Sequence, residues 1–393
     1  MNKYSANSIN KREFIKSCTF GIGACVLGLH NLKTIAGPVT DKLKPEQSPD
    51  VLWRWSREAL FYTKTPDGLK CQKCPHECLL SEGETGICRT RVAHKTKLYT
   101  IAYGNPCAIH IDPIEKKPFF HFLPLTRAFS IAVAGCNFRC LNCQNWQISQ
   151  FSPKETDNYD MMPENIVEQC LKNKCESIAY TYSEPITFYE YAYDTAKLAR
   201  EKGIKNVWKS NGYINEIPLR KLCKVIDAAN IDLKIFDNET YLKLSGGKLE
   251  PVLQTLKTFK EEGVWLEITN LVIPSWTDNL DTIKKMCDWL VKNNLQDCPL
   301  HFSRFTPLYK LTQLPQTPIQ TLEKARKVAL KSGIKYVYIG NVPAHKAENT
   351  FCHKCERVVV ERRGFTIIKD ELVSGKCKFC GENIPGVWTK KPM

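Results

Sequence analysis

The sequence predicts an α/β fold, a partial (β/α)6-type barrel that carries a small cysteine-rich, metal-binding module at each end. From about residue 128 onward, short runs rich in β-branched residues alternate with amphipathic stretches of helical period. A strand, a crossover helix and a further strand form a parallel sheet, and six or seven such units fit a closed or partly closed barrel. The end modules are indicated by the nineteen cysteines, because eleven of them fall in three tight groups.

The predicted strands and helices alternate along the whole barrel region. The strands are predicted at 129–134, 177–182, 206–210, 230–236, 265–273, 300–305 and 335–339. The helices are predicted between them, at about 163–174, 187–202, 215–227, 251–262, 278–293 and 318–332. Pro163 and Pro251 fall where the first turn of a helix tolerates proline. Because barrel chemistry concentrates at the carboxyl ends of the strands, we expect the functional residues in the loops that follow them.

Composition shifts divide the chain into five segments. They are 1–37, a twin-arginine-like signal; 38–65, a linker and a short helix near Val51–Tyr62; 66–125, an N-terminal cysteine-rich module; 126–345, the barrel; and 346–393, a C-terminal zinc-ribbon-like module. In the first segment, Lys11-Arg12 precede an apolar run from Cys18 to Leu29, which resembles an export signal with Lys in the first arginine position. That run is too short for a standard membrane span, and no other segment is apolar enough, so no transmembrane span is expected.

Composition restricts the class of protein. Hydrophobic residues make up 43% and charged residues 25% of the chain, which is ordinary globular usage and excludes wholesale disorder. The formal net charge of +15 permits an acidic partner, but no basic run with interleaved aromatic residues is present, so nucleic-acid binding is disfavoured. Short C-x2-C spacings in so large a chain indicate metal sites, whereas disulfide frameworks are typical of small secreted domains.

The central cysteine group follows the first predicted barrel strand with the spacing C-x3-C-x2-C, at Cys136, Cys140 and Cys143. Three thiolates on one loop can ligate three irons of a [4Fe–4S] cluster and leave the fourth iron open. The open iron can bind the amino and carboxylate groups of S-adenosylmethionine (SAM), whose reductive cleavage gives methionine and a 5′-deoxyadenosyl radical. The alternative is a zinc knuckle with a distant fourth ligand such as His110 or His121.

The two flanking cysteine groups predict further metal sites. The C-terminal group has the spacing of a zinc ribbon, and a structural zinc site should be closed by four thiolates; its members are Cys352, Cys355, Cys377 and Cys380. The N-terminal group is less regular; its members are Cys71, Cys74, Cys78 and Cys88, with His76 as a replacement ligand. Zinc is the first interpretation there, and an auxiliary [4Fe–4S] cluster that relays electrons or binds substrate is the alternative.

Several further motifs accompany the cluster loop. They are Cys-Pro-His-Glu-Cys (74–78), Asp-Pro-Ile-Glu-Lys-Lys-Pro (112–118), Gln-Asn-Trp (144–146), Tyr-Thr-Tyr-Ser-Glu-Pro (180–185), Asp-Leu-Lys (232–234) and Tyr-Ile-Gly-Asn-Val-Pro (338–343). With these motifs the chain, from Cys71 to its C-terminus, resembles the radical SAM superfamily. It looks similar to activating enzymes of the pyruvate formate-lyase type and to the radical SAM component of the AmmeMemoRadiSam system. The resemblance implies a radical SAM barrel.

The resemblance also implies cofactor-binding residues. Glu184 matches the acidic residue that holds the SAM amino group, although both glycines of the family motif are absent here. Ser210 and Asn211 resemble a segment that faces the SAM carboxylate or ribose, and Asn341 lies in a turn that resembles the adenine-contacting turn. Asp232 and Lys234 share one face of a strand, so both can point into the barrel, either as cofactor contacts or as a structural ion pair.

One departure from the family pattern concerns a monovalent cation. Activating enzymes of this type often have Asp, part of a cation site, where this chain has Lys209. We hypothesise that the Lys209 ammonium replaces that cation and pairs with Asp232; the alternative is a lysine whose ammonium points outward to solvent.

These observations predict a radical SAM oxidoreductase that abstracts a hydrogen atom from a substrate. By resemblance, the expected partners are a low-potential electron donor and either a protein substrate, such as a glycyl residue, or Memo-like and AMMECR-like proteins. The alternative function is an RNA- or protein-binding iron–sulfur or zinc protein without radical catalysis. A cytoplasmic location is expected because SAM and low-potential electrons are cytosolic, and the N-terminal segment keeps export as the alternative.

Overall fold

The computed structural model describes residues 42–43 and 51–388. The twin-arginine-like signal predicted at 1–37 and most of the predicted linker lie outside the described residues. No helix of the described part of the chain is long and apolar enough to cross a membrane.

Strands and helices alternate through the centre of the chain. The strands are β1 (Arg57–Glu58), β2 (Tyr62–Thr65), β3 (Gly68–Cys71), β4 (Leu79–Leu80), β5 (Arg91–His94), β6 (Lys97–Thr100), β7 (Ala108–Pro113), β8 (Arg127–Ala132), β9 (Ser177–Tyr180), β10 (Lys205–Ser210), β11 (Ala228–Asp232), β12 (Trp265–Val272), β13 (Leu300–Arg304), β14 (Val337–Gly340), β15 (Thr350–Phe351), β16 (Val358–Arg363), β17 (Thr366–Asp370), β18 (Leu372–Val373) and β19 (Lys376–Cys377). The α-helices are α1 (Trp146–Ser149), α2 (Pro163–Lys172), α3 (Tyr189–Glu201), α4 (Glu216–Cys223), α5 (Asn238–Ser245), α6 (Leu249–Glu261), α7 (Leu280–Lys292) and α8 (Ile319–Lys331).

The largest sheet has eight strands in the order β14-β13-β12-β11-β10-β9-β8-β7. Strands β8 to β14 are parallel, and β7 pairs antiparallel with β8 at one edge. Strands that follow one another in the chain are neighbours in the sheet. Right-handed crossovers in one constant direction place the helices on one face and curve the sheet into a partial barrel. The predicted parallel α/β barrel is confirmed, while β7 and α5 were not predicted.

The strands of the barrel begin and end in register, which brings the loops after them together. Tyr180 pairs with both Ile131 and Trp208, and Ser210 pairs with Ile231. All four residues of β9 are buried, as expected for a parallel strand covered on both faces. The carboxyl ends of β8 to β11 therefore lie side by side.

The N-terminal module consists of two small antiparallel sheets, β2-β3-β4 and β1-β6-β5. The helix predicted near Val51–Tyr62 is wrong, because turns and strands occupy this segment. Trp53 and Trp55 are both buried, and their indole N–H groups donate to Ile101 O (3.1 Å) and Asp160 Oδ1 (2.8 Å). A turn at residues 54–55 precedes strand β1, and the contacts to remote residues override the local helical pattern.

The C-terminal module packs near the amino ends of the last barrel strands. Arg362 on β16 donates to Phe120 O at 2.9 Å, and Val387 N donates to His121 O at 2.8 Å. The His121 ring lies 2.7 Å from Pro385 O through Nδ1 and 2.5 Å from the Tyr338 hydroxyl through Nε2. A carbonyl oxygen only accepts, so Nδ1 carries the proton and Nε2 accepts from the tyrosine. His121 therefore joins the module to the barrel and is engaged away from the cluster loop.

Candidate functional site

The loop that carries the central cysteine group leaves the carboxyl end of β8 and is held from two sides. Arg139 N and Leu141 N donate to Ser245 O and Leu244 O, both at 2.9 Å, so backbone hydrogen bonds join the loop to the end of α5. On the other side, a Cβ atom at Gly135 would lie 2.7 Å from the Cys88 backbone oxygen. The loop is thus in direct contact with the N-terminal module, and Gly135 permits that contact.

The three cysteines of this loop are thiols in a poorly solvated environment. Cys140 is buried, Cys136 and Cys143 are half-buried, and none forms a disulfide. Burial raises the pKa of all three thiols, and that of Cys140 reaches about 12. Thiolates in such a place need a cationic partner, which the irons of a cluster would provide.

A polar group lies beside the loop, at the carboxyl ends of β9 and β10. Glu184 is 3% exposed, and its carboxylate accepts from the Ser210 hydroxyl (2.7 Å) and from Asn211 N (2.8 Å). Burial raises the pKa of Glu184 to about 7, although these hydrogen bonds lower it. A buried carboxylate of this kind is suited to a ligand cation, because an ammonium group would restore the charge that burial disfavours.

Asn211 connects the polar group to the cysteine loop. Its side-chain amide donates to Asn137 Oδ1 at 2.8 Å and lies 4.0 Å from Cys136 Sγ. Asn137 in turn donates to Tyr213 O at 2.9 Å. The structure therefore brings the predicted residues Glu184, Ser210 and Asn211 together with the cysteines in one site.

Two lysines flank a carboxylate at the neighbouring strand end. Asp232 accepts from Lys209 through one oxygen and from Lys234, at 2.9 Å, through the other. Burial alone would raise the pKa of Asp232, but the two ammonium groups hold it at about 2. Lys209 also donates to Asn230 Oδ1 at 2.7 Å. The predicted pairing of Lys209 with Asp232 is confirmed, and the outward-pointing alternative for Lys209 is wrong.

Asn341 lies apart from this group. It follows β14, has a φ of +61°, and its amide donates to Arg304 O at 3.3 Å. Within residues 51–388, no hydrogen bond joins Asn341 to Glu184, Ser210 or Asp232. Its predicted cofactor contact therefore depends on a ligand long enough to cross the barrel mouth.

A second buried polar group, to which the sequence alone assigned no role, lies at the edge of the barrel. The Asp112 carboxylate accepts from Lys117 at 2.5 Å, from Lys116 at 2.8 Å and from the Tyr182 hydroxyl. Burial lowers the pKa of Lys117 to about 8, while Asp112 opposes that shift. The available signal in the sequence was the charged motif at 112–118, which precedes an apolar run. The turn after β7 brings Lys117 within 3.0 Å of the Tyr182 hydroxyl in the loop after β9.

The C-terminal cysteine group has the dimensions of a single-metal site. The ligand atoms of Cys352, Cys355, Cys377 and Cys380 all lie within 4.8 Å of one another. The sulfur–sulfur distances are 3.6 Å for Cys352–Cys380 and 3.7 Å for Cys355–Cys377. A zinc ion with bonds of about 2.3 Å to four tetrahedral thiolates separates its sulfurs by about 3.8 Å.

The other two cysteine groups are wider. Among residues 42–43 and 51–388, no second group of cysteine, histidine or acidic ligand atoms is as compact as the C-terminal one. Thiolates that bind different irons of a cubane are farther apart than thiolates that share one ion. The spread of the loop cysteines therefore fits a [4Fe–4S] cluster better than the zinc knuckle considered above.

Comparison with known proteins identifies a family. The pattern of the Radical SAM superfamily matches residues 130–290. An uncharacterized protein of Methanocaldococcus jannaschii is 48% identical over 331 residues, which cover 84% of this chain and 98% of that protein. The pyruvate formate-lyase 1-activating enzyme of Escherichia coli K12 is 25% identical over 158 residues, 39% of this chain and 63% of that enzyme. A solved radical SAM methyltransferase from Sphaerobacter thermophilus aligns with a TM-score of 0.45 and 11% identity, over 56% of this chain and 68% of that one.

The family match supports a radical-generating iron–sulfur enzyme. The chain belongs to the radical SAM superfamily. Membership implies a [4Fe–4S] cluster and SAM as cofactors, and the residues at the barrel mouth fit both groups: three poorly solvated thiols on one loop, and a buried carboxylate for a cation.

Proposed function

We propose that this protein cleaves SAM reductively at a [4Fe–4S] cluster on Cys136, Cys140 and Cys143 and uses the resulting 5′-deoxyadenosyl radical to abstract a hydrogen atom. One observation carries the proposal: a single loop after β8 presents three thiols, one buried and two half-buried, beside the buried carboxylate of Glu184. When bound, the cluster supplies the electron that breaks the S–C5′ bond of SAM. The protein supplies binding, orientation and exclusion of water.

Glu184 is the acceptor proposed for the SAM ammonium. Ser210 and Asn211 already donate to its two oxygens, so the carboxylate is held in one orientation before the ligand arrives. A ligand ammonium would stabilise the ionised form, which burial otherwise disfavours. Ser210 and Asn211 are proposed to face the SAM carboxylate or ribose, and Asn341 the adenine.

The Asp232 carboxylate with its two lysines is proposed as the second charged part of the SAM site. Lys209 and Lys234 both contact Asp232, so the group carries one excess positive charge. An ammonium held at this position would replace a monovalent metal ion beside the SAM carboxylate. The excess charge also favours an anionic cluster nearby.

Aromatic packing shields one side of the loop. Phe138 is buried between Tyr213 and Tyr241, with ring centroids at 5.0 Å and 6.0 Å. Exclusion of water strengthens the electrostatic contacts in the site and protects a reactive radical from side reactions. The mouth of the barrel on the opposite side of the loop is left for the substrate.

The substrate is proposed to be a residue of a partner protein. Relatives at about 25% identity are named as activating enzymes of pyruvate formate-lyase, which supports a protein substrate. A glycyl residue is the target that the sequence resemblance suggests. Memo-like and AMMECR-like proteins are the other partners that the sequence resemblance suggests. In either case a low-potential protein donor would deliver the electron. For the C-terminal site we propose a structural zinc ion, which its sulfur–sulfur distances support.

The test is anaerobic formation of 5′-deoxyadenosine. The reconstituted, reduced protein is mixed with SAM, and nucleosides are separated by chromatography. We expect 5′-deoxyadenosine from the wild type and from Cys287→Ala, a buried cysteine of α7 outside the three groups, and none from Cys140→Ala. Equal amounts from wild type and Cys140→Ala, or none from a wild type that contains a reducible cluster, would refute the proposal.

A further inference from the structure

The four cysteines of the N-terminal group enclose a small cavity. Cys71, Cys74 and Cys88 are buried, and all four line the cavity with Lys73 and Arg91. It has about 10 Å³ of space for the centre of a water molecule, which is room for roughly one water. A zinc ion about 2.3 Å from every sulfur would draw the thiols together and leave no such space. The cavity between the four thiols is therefore wider than a four-thiolate zinc site.

The cavity is lined by more buried positive charge than the protein neutralises. Lys73 and Arg91 are each 1% exposed. Glu190 pairs with Arg91 at 2.6 Å, and the ammonium of Lys73 donates only to a backbone carbonyl, Thr187 O at 3.2 Å. One carboxylate thus offsets one of the two cations. A buried cation without a counterion is costly, so the cavity is suited to an anionic group.

Arg91 also has buried donors without acceptors. Its Nε and Nη1 atoms have no hydrogen-bond partner among the residues that the structure describes. A buried donor left unpaired is destabilising, because it has lost its hydrogen bonds to water. Thiolate or sulfide atoms in the cavity would accept from both, and such hydrogen bonds are what tune an iron–sulfur centre.

The cavity adjoins the loop after β8 that carries Cys136, Cys140 and Cys143. The His76 ring, two residues after Cys74, donates from Nε2 to Asn137 O at 2.8 Å, since a carbonyl oxygen only accepts. Asn137 is bonded to Cys136, so a single hydrogen bond completes a through-bond route from Cys74 to Cys136. The contact between Gly135 and the Cys88 backbone provides a second, direct approach.

We propose that Cys71, Cys74, Cys78 and Cys88 hold an auxiliary [4Fe–4S] cluster that passes single electrons to the cluster on the β8 loop. A one-electron protein donor of low potential reduces the auxiliary cluster from the 2+ to the 1+ state. Its return to 2+ delivers the same electron to the second cluster, and no bond or proton changes. The electron transfer to the second cluster rests on the proposed function, whereas the assignment of an iron–sulfur cluster to the N-terminal cysteines does not. The geometry favours iron–sulfur here over the zinc that the sequence first suggested.

The metal is tested without any SAM chemistry, in a variant that lacks the central cluster. Cys136→Ala/Cys140→Ala/Cys143→Ala is purified and reconstituted anaerobically, and its iron, sulfide and zinc are measured with its EPR spectrum after reduction. We expect about four irons and four sulfides per chain and an EPR-active reduced cluster. Cys380→Ser added to this variant should remove zinc and leave the iron. Absence of iron, or about two zinc ions per chain, would overturn the proposal.

The relay is tested by comparing two reductants. Cys74→Ala/Cys88→Ala lacks two ligands of the auxiliary site and keeps the central loop. With dithionite, a small reductant that can reach the central cluster directly, we expect it to form 5′-deoxyadenosine. With a reduced flavodoxin as the protein donor, we expect that formation to be lost. Equal loss or equal retention with both reductants would overturn the relay; a wild type inactive with both, whose auxiliary iron is nevertheless present, would instead refute the proposed function.

A milder variant covers the case in which the double variant does not fold. Lys73→Met, in the background without the central cluster, removes a buried positive charge beside the cavity and no ligand. We expect unchanged iron content and a more negative reduction potential in an EPR-monitored titration, because the reduced cluster loses a stabilising cation. An unchanged potential would place the iron elsewhere and overturn the assignment.

Discussion

Acidification should release the C-terminal module from the barrel, and His121 should account for a measurable part of that release. Burial lowers the pKa of His121 from its usual 6.5 to about 4, although the nearby Glu267 carboxylate opposes the shift. The groups around the ring include Arg362 and His301, which both disfavour its protonation. The perturbation is a change from pH 7.5 to pH 5.0, with His121→Gln as the matched variant, since glutamine keeps one donor and one acceptor.

The direction and magnitude of the pH effect follow from the pKa of His121 in the docked module, about 4, and its usual value of 6.5. The undocked module binds the proton first, so the contribution of His121 is fully present above pH 6.5 and is lost as pH falls towards 4. Between pH 6.5 and pH 4 the free energy of docking falls by about 3 kcal/mol because of His121, and about 2 kcal/mol of this is already lost at pH 5.0. Burial also lowers the pKa of His301, which acts in the same direction. The pKa of Glu267 is held below its usual range, so that group stays ionised at pH 5.0.

Hydrogen exchange measures the opening of the module directly. Amides of residues 375–388 are followed by mass spectrometry, corrected for the intrinsic pH dependence of exchange, with zinc content measured at both pH values. We expect corrected exchange in the wild type to be roughly 30-fold faster at pH 5.0 than at pH 7.5, and a clearly smaller change in His121→Gln. An equal change in both proteins at constant zinc would refute the role of His121.

Three further outcomes are expected. Gly135→Ala should lower the iron and sulfide content of the purified protein, because its Cβ would lie 2.7 Å from a backbone oxygen of the N-terminal module; Gly263→Ala, whose Cβ would meet nothing within 4 Å, should leave both unchanged, and equal contents would contradict this. Cys355→Ser should lose zinc and make the C-terminal module sensitive to limited proteolysis while iron is retained, and retention of zinc would argue against the site. SAM cleavage by the wild type should not depend on potassium, whereas Lys209→Ala should be weakly active and rescued by it, because the Lys209 ammonium is proposed to occupy the cation position beside Asp232. A wild-type rate that rises sharply with potassium would count against this replacement.

The regular part of the fold was predictable because its signal is local. Each barrel strand is a short apolar run between amphipathic stretches, and every predicted strand and helix of the barrel occurs within a few residues of its predicted bounds. The helix predicted near Val51–Tyr62 failed because Trp53 and Trp55 bond to residues far along the chain. Strand β7 was missed because it pairs antiparallel with β8, whereas the alternation of strands and helices predicts only the parallel strands of the sheet.

The candidate site was predictable wherever a motif follows a strand end. Glu184, Ser210 and Asn211 lie at the ends of neighbouring strands, so parallel register alone brings them together. Asn341 lies at the end of β14, far along the sheet order, and only the curvature of the barrel decides whether it can share a ligand with them. Lys73 and Arg91 carried no signal, because a basic residue near cysteines is exposed in most sequences.

The sequence by itself determined which chemistry to expect, because cysteine spacing and the motifs at strand ends depend on positions a few residues apart. It also determined the fold class, since the period of apolar residues sets each strand and helix. Only the tertiary structure decided which of the three cysteine groups is compact enough to bind a single ion. It also decided that Lys209 pairs with Asp232, and that the N-terminal cysteines adjoin the loop after β8. Those outcomes depend on distances between residues remote in the chain, which packing sets and local pattern does not record.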